Sequence, residues 1–225
     1  MRAADAERVR DIAAEFARGF DALAGLGPAV TVFGSARTPE DHPDYALVRE
    51  LGACIGRAGL TVITGGGPGL MEAANRGARD VGAVSVGCNI ELPHEQDLNP
   101  YLDIGIRFRH FFARKVMFVR YACAFVIAPG GYGTLDELFE ALTLIQTATI
   151  RHFPLILLGD GEWAGLESWL RETVLAGGKI DRRDLELLHF VRGPGEVVPL
   201  VERARALMLG EEISKRRSAG GGRHS

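Results

Sequence analysis

Over residues 3–24, apolar positions recur at spacings of three and four. Val9, Ile12, Phe16, Phe20 and Leu23 fall on one side, which predicts an amphipathic helix closed by Leu26-Gly27-Pro28. The period then changes. Ala29–Phe33 is a short, bounded, β-rich run and predicts a strand, followed by the tight loop Gly34-Ser35-Ala36-Arg37. Residues 42–57 return to a helical period, with Leu47, Val48, Leu51, Cys54 and Ile55 together. A second strand at 60–63 runs into the glycine loop Thr64–Gly69, then a helix at 70–79 and a third strand at 83–88. Residues 89–103 are polar and carry two prolines, so they read as a long loop of the kind that is often functional. Ile104, Ile106 and Phe108 alternate with Gly105 and Arg107, the mark of a short half-buried strand. A helix rich in Phe and Arg covers 109–121, and an apolar strand covers 122–128. The loop Pro129–Thr134, a helix at 135–147 and a buried strand at 154–158 follow, and helical segments near 162–176 and 196–209 end the pattern.

Short, continuously apolar strands alternating with helices imply a parallel sheet covered on both faces. The expected architecture is a Rossmann-like, doubly wound α/β sheet in a single domain. The layout is an N-terminal amphipathic helix over 1–26, the α/β domain over 28–210 and a basic, Gly-rich, disordered tail over 211–225. With 47% apolar and 24% charged residues the chain has the profile of a globular protein with a sizeable core. The net charge of −3 gives no support for binding nucleic acid or a membrane surface through bulk electrostatics. The N-terminus is charged, without the apolar run of a signal peptide, and no stretch approaches the ~20 apolar residues of a membrane span. Cys54, Cys88 and Cys123 are widely spaced in apolar segments and read as reduced thiols of a cytoplasmic protein. No Cys/His cluster has metal-ligand spacing, so no metal is expected.

Glycine, 29 of the 225 residues, concentrates in loops at strand ends: Gly34-Ser35, Gly65–Gly69 with Gly66 and Gly67 at its centre, and Gly130–Thr134. Ligands of parallel α/β sheets sit beyond the carboxyl ends of the strands. The last loop is the sharpest signal. Gly130, Gly131 and Gly133 leave backbone N–H groups unobstructed around Tyr132, Thr134 can cap the helix, and a helix N-terminus favours a phosphate. Neither the dinucleotide fingerprint nor the Walker loop is met, which points to a mononucleotide or a sugar phosphate with no cofactor. Glu137 has capping-box spacing from Thr134. It would equally stand beside the phosphate, able to support positive charge at C1′ or to orient a water. Arg114 and Lys115 lie on a strongly apolar helix, either as an ordinary charged face or as cations wanting an anionic partner. Phe111 and Phe112 would line a base pocket or pack in the core.

These residues resemble a known family. Pro129-Gly-Gly-Tyr-Gly-Thr-Leu-Asp-Glu137 matches the PGGxGTxxE signature of the LONELY GUY (LOG) family, Arg114-Lys115 matches its RK pair, and Thr64–Met71 is similar to its second glycine loop. The resemblance covers about residues 28–210. It implies a phosphoribohydrolase of cytokinin riboside 5′-monophosphates, releasing the base and ribose 5-phosphate. It implies Arg114 and Glu137 as catalytic residues and Gly130–Thr134 as the phosphate loop. Glu95, in Leu92-Pro-His-Glu-Gln96, is similar in place to a substrate-contacting Glu. The N-terminal extension resembles the longer members, which implies a homodimer or a larger homo-oligomer. Two other readings stay open: a general AMP or nucleotide monophosphate nucleosidase, and a non-catalytic nucleotide or cofactor carrier on the same fold. The lysine decarboxylase label that many such proteins carry fails a physical test. Of the three lysines, Lys215 is in the tail, Lys179 is in a Gly-Gly-Lys loop, and Lys115 points about 100° away from Arg114 on their helix.

Overall fold

The structure is a computed structural model describing the backbone of residues 3–92 and 97–220, and the side chains of 4–92 and 97–210. The elements in chain order are α1 (Ala3–Ala22), β1 (Ala29–Phe33), α2 (Pro43–Arg57), β2 (Thr61–Thr64), α3 (Leu70–Asp80), β3 (Ser85–Ile90), β4 (Ile104–Phe108), α4 (Phe111–Tyr121) and β5 (Ala122–Ile127). They continue with α5 (Tyr132–Gln146), β6 (Leu155–Leu158), α6 (Ala164–Trp169), α7 (Arg182–Leu185), β7 (Leu188–Val191) and α8 (Val197–Gly220). A π-helical turn, Leu170–Leu175, prolongs α6.

The seven strands form one parallel sheet in the order β4-β3-β2-β1-β5-β6-β7. Its strands alternate apolar residues between two cores. Phe33, Ile63, Phe125, Ile127, Leu155 and Leu157 pack with Met117 and Phe118 of α4 and Leu138 and Ala141 of α5. Val30, Val32, Val62, Ala124, Val126 and Ile156 turn the other way, onto Val48 and Leu51 of α2, Leu70 and Ala74 of α3, and Val197 and Val201 of α8. Both faces are therefore covered, as the continuous apolar runs require. The chain order reverses between β1 and β5. Strands 1 to 4 are laid down in one direction from that point and strands 5 to 7 in the other.

One strand and the last helix depart from the sequence pattern. The strand β7 escapes it, because four residues, Leu-His-Phe-Val, between charged segments carry too few apolar positions to show a period. At the other end, α8 continues to Gly220, beyond the end near 209 that the periodicity gives. Among the described residues no helix is long and apolar enough to cross a membrane.

Candidate active site

The loops after β1 and β5 meet where the strand order reverses, the place at which open α/β sheets bind ligands. The Ser35 N–H donates to the Pro129 carbonyl at 3.0 Å, so the two loops share a wall. The β2 loop is tied in from the other side, since the Leu70 N–H donates to the Ser35 carbonyl at 2.8 Å. That approach requires Gly69, which has φ +67° and whose Cβ, were there one, would stand 2.4 Å from the Ser35 oxygen. Together the three loops, α4 and the start of α5 enclose a cleft of about 720 Å³. Ser35, Arg37, Gly65, Phe111, Arg114, Gly131–Leu135 and Glu137 line it, with Phe33, Met71, Ile90 and Leu92 supplying apolar wall.

The helix α5 begins at Tyr132, earlier than the sequence pattern suggests, and its N-cap is Gly131 in an extended conformation. Thr134 is therefore not a cap. Its N–H donates to the Gly131 carbonyl at 3.0 Å, which withdraws that amide from a ligand, and no capping box links it to Glu137. The two N–H groups ahead of it, those of Tyr132 and Gly133, have no carbonyl behind them in the helix, and both residues line the cleft. Gly130 does not line the cleft. The Thr134 side chain fills the space where its Cβ would project, 2.1 Å from Oγ1. Gly131 and Gly133 instead face open space.

Freed from capping, Glu137 lies in the second turn of α5, where it is 3% exposed. Arg114, on α4, brings its guanidinium within 3.6 Å of Glu137 Oε1. That spacing is an ion pair without a hydrogen bond. Arg114 Nε and Glu137 Oε1 are both buried with no hydrogen-bond partner. The guanidinium lies over the rings of Phe111 and Phe118, 5.2 and 5.4 Å from their centroids. Burial drives the Glu137 carboxyl up to about 7, against the pull of Lys115 and Arg114 and with help from Glu140 and Asp136. Burial also lowers the Arg114 pKa, with Glu137 opposing. A carboxyl that is half-ionised near neutrality beside a fixed cation is equipped to take a proton from water or to stabilise a neighbouring positive charge.

Other candidate residues divide between site and scaffold. Ser35 and Tyr132 line the cleft. Phe111 does too, whereas Phe112 faces Phe16 and His110. Gly66 and Gly67 do not line it, because a buried amide network holds their backbone. Gly66 N–H donates to Thr64 Oγ1, the Gly66 carbonyl accepts from Asn99 N–H, and the Gly67 carbonyl accepts from Asn99 Nδ2, which also reaches Asn75 Oδ1. Lys115 turns away from the cleft and is clasped by Asp136 at 2.8 Å and Glu140 at 2.5 Å, joining α4 to α5. Glu95 lies outside the described residues. The sequence reading missed Arg37, whose only signal was its place beyond a strand; of the Gly65–Gly69 loop it singled out, Gly65 lines the cleft, and its absent side chain leaves room for Met71 and Arg114. Among the described residues, no group of three or more His, Cys, Asp or Glu stands where it would hold a metal ion.

A cleft at the reversal of strand order, with the start of α5 on one side and a buried Arg–Glu pair on the other, places the chain among α/β proteins of the Rossmann type. The family model described as possible lysine decarboxylase matches residues 71–201, and the chain belongs to that family, the LOG family that its motifs resemble. It is 34% identical over 145 residues to the cytokinin riboside 5′-monophosphate phosphoribohydrolase of Mycobacterium tuberculosis, covering 63% of this chain and 77% of that one. It is also 31% identical over 146 residues to the pyrimidine/purine nucleotide 5′-monophosphate nucleosidase of Escherichia coli, covering 59% of this chain but only 31% of that longer protein. Among solved structures, the X-ray structure of TM1055 superposes with a TM-score of 0.60 at 28% identity, covering 79% of this chain and 99% of that one.

Proposed function

We propose that the cleft hydrolyses the N-glycosidic bond of purine riboside 5′-monophosphates, of the plain or the cytokinin type, to the free base and ribose 5-phosphate. The observation that carries this reading is the buried Arg114–Glu137 pair, in contact but not hydrogen-bonded and with a polar atom of each left unpartnered inside the cleft. Such atoms are costly unless a ligand completes them. In the proposed complex the 5′-phosphate sits against the first amides of α5, near Arg37, and the ribose lies over Glu137. Phe111 and the apolar wall receive the base. Arg114 orients the sugar. Ionised Glu137 stabilises the positive charge that develops at C1′ and takes a proton from the attacking water. The bond from C1′ to the base nitrogen breaks as the C1′–O bond forms, and the departing base takes up a proton from solvent.

The decarboxylase in the family description finds no support in the residues. A Schiff-base lysine must be reachable and able to lose its proton. Lys115 is outside the cleft, and its carboxylate partners outweigh its burial, so its pKa is raised.

A base-release assay over nucleoside monophosphates, diphosphates and free nucleosides tests the main reading, which requires turnover of monophosphates. The E. coli relative's name favours a second reading, a broader nucleosidase. AMP hydrolysed at least as efficiently as its isopentenyl-modified form selects that one. Binding of AMP with no release of adenine selects a carrier instead.

The reading extends to self-association. Phe111 and Tyr132 line the cleft and are exposed, Tyr132 to 93%, and Phe112 and Val116 of α4 and Phe139 of α5 are exposed as well. An apolar patch of this kind fits a homo-oligomer contact, and light scattering on the purified protein should give at least twice the chain mass. A cytoplasmic setting fits the three free thiols.

A further inference from the structure

The N-terminal helix α1 carries a buried carboxylate that the reaction does not use. Glu15 is 3% exposed, yet among the described residues no lysine or arginine approaches it more closely than Arg18, at 3.9 Å. Its partners are the backbone just ahead of α4. Arg109 N–H donates to Oε1 at 2.6 Å and His110 N–H donates to Oε2 at 3.3 Å. The His110 ring Nδ1 lies 2.9 Å from the same Oε2. Burial pushes the carboxyl up, but these contacts outweigh it and hold the pKa below its usual value. The helix α4 has no acidic residue in its first turn and no side-chain cap of its own. A carboxylate from another helix therefore takes the place, favoured by the helix dipole.

From there the contacts lead to the cleft. The Arg114 N–H is bonded to the His110 carbonyl at 3.4 Å, so the residue that Glu15 grips begins the helical turn that carries Arg114. The rest of α1 holds the grip in place. Phe16 faces the Phe112 ring at 6.4 Å, and Gly19 lies so close to α4 that a Cβ there would stand 2.8 Å from Met117 Sδ.

We infer that Glu15 is a positioning residue, through which α1 fixes the first turn of α4 and with it the guanidinium of Arg114 opposite Glu137. The placement is a matter of geometry in the free protein. Its effect on catalysis rests on the function proposed above.

The test is a double-mutant cycle of Glu15→Ala with Arg114→Ala, read in AMP affinity and in kcat and KM separately. Glu15→Ala should lower kcat/KM on the order of tenfold in the wild-type background and have little effect when Arg114 is already absent. Glu15→Gln, which keeps two acceptor positions' worth of shape but one carbonyl oxygen, should recover part of the loss, and it carries the cycle if the alanine variant does not fold. Glu7→Gln, exposed on the same helix, should match wild type. An equal loss in both Arg114 backgrounds would overturn the inference, since a merely structural role costs the same with or without that side chain. A readout without substrate separates this from a failure of the functional reading: the side-chain Nε–H resonance of Arg114 in nitrogen-15-labelled protein. It should move in Glu15→Ala and Glu15→Gln but not in Glu7→Gln. An unmoved resonance sinks the inference whatever the enzyme hydrolyses.

Discussion

At the scale of single residues, the Glu137 carboxyl is the most informative group, because its burial sets both its chemistry and its cost. In the proposed reaction ionised Glu137 is the active form, so kcat/KM should rise with pH through a midpoint near 7. Glu137→Ala should cut turnover on the order of 10²–10⁴ while AMP still binds; unchanged turnover would end the proposed role. The same shift has a consequence for stability. Its folded pKa is raised from 4.5 to about 7, so the unfolded chain ionises first as pH rises, and the fold loses stability between those values and does not regain it above them. Glu137→Gln should therefore melt higher than wild type at pH 8, by up to about 3 kcal/mol, and no higher at pH 4. A variant that is less stable at pH 8 contradicts the assignment of the shift to burial. Gly131 makes the opposite kind of prediction. A Cβ there meets no protein atom within 4 Å. Gly131→Val should cost the fold no more than about 1 kcal/mol, the scale of an N-cap change, yet weaken phosphate binding by blocking the approach to the backbone. Calorimetric titration with AMP beside a thermal melt separates the two effects.

At the scale of elements, the site depends on how α4 and α5 are held together. Lys115 bridges them through Asp136 and Glu140, and it pulls the Glu137 pKa down from behind the cleft. Lys115→Met removes that pull and leaves two carboxylates facing Glu137. The midpoint of the pH profile should then move above 7, with maximal kcat reached only at higher pH; a midpoint that stays in place or falls would show that Lys115 does not act on Glu137. The sequence had grouped Lys115 with Arg114 because they are adjacent in a familiar pair. Adjacent residues on a helix point about 100° apart, and only the packing of α5 shows which of them faces the cleft. Thr134 teaches a related lesson. Its spacing to Glu137 fits a capping box, but the helix starts at Tyr132, three residues earlier than a Thr134 cap would set, and so the box does not form. Local spacing identifies residues that can cap. The actual helix start, set by how α5 docks on the sheet, decides which one does.

At the scale of the whole molecule, the reversal of strand order between β1 and β5 places three loops around one cleft. A ligand that fills this cleft binds only the folded state. AMP at 100 times its Kd should therefore stabilise the protein by about 2.7 kcal/mol, read as a rise in melting temperature. Adenosine, lacking the phosphate, should give a much smaller rise if the α5 amides are the anchor. A comparable rise with both would place the anchor elsewhere. Read alone, the sequence supplies the α/β class, the parallel sheet and the glycine loop that lines the cleft. Strand and helix periods, clustered glycines and the Arg114 and Glu137 motifs are all local signals. What it left open was every pairing across the chain: Glu15 with His110, Lys115 with Asp136 and Glu140, Asn99 with the Gly66 loop, and the 3.6 Å approach of Arg114 to Glu137. Those contacts join residues far apart in sequence, and their chemistry follows from burial. Both are properties of the packed molecule, which no local period encodes.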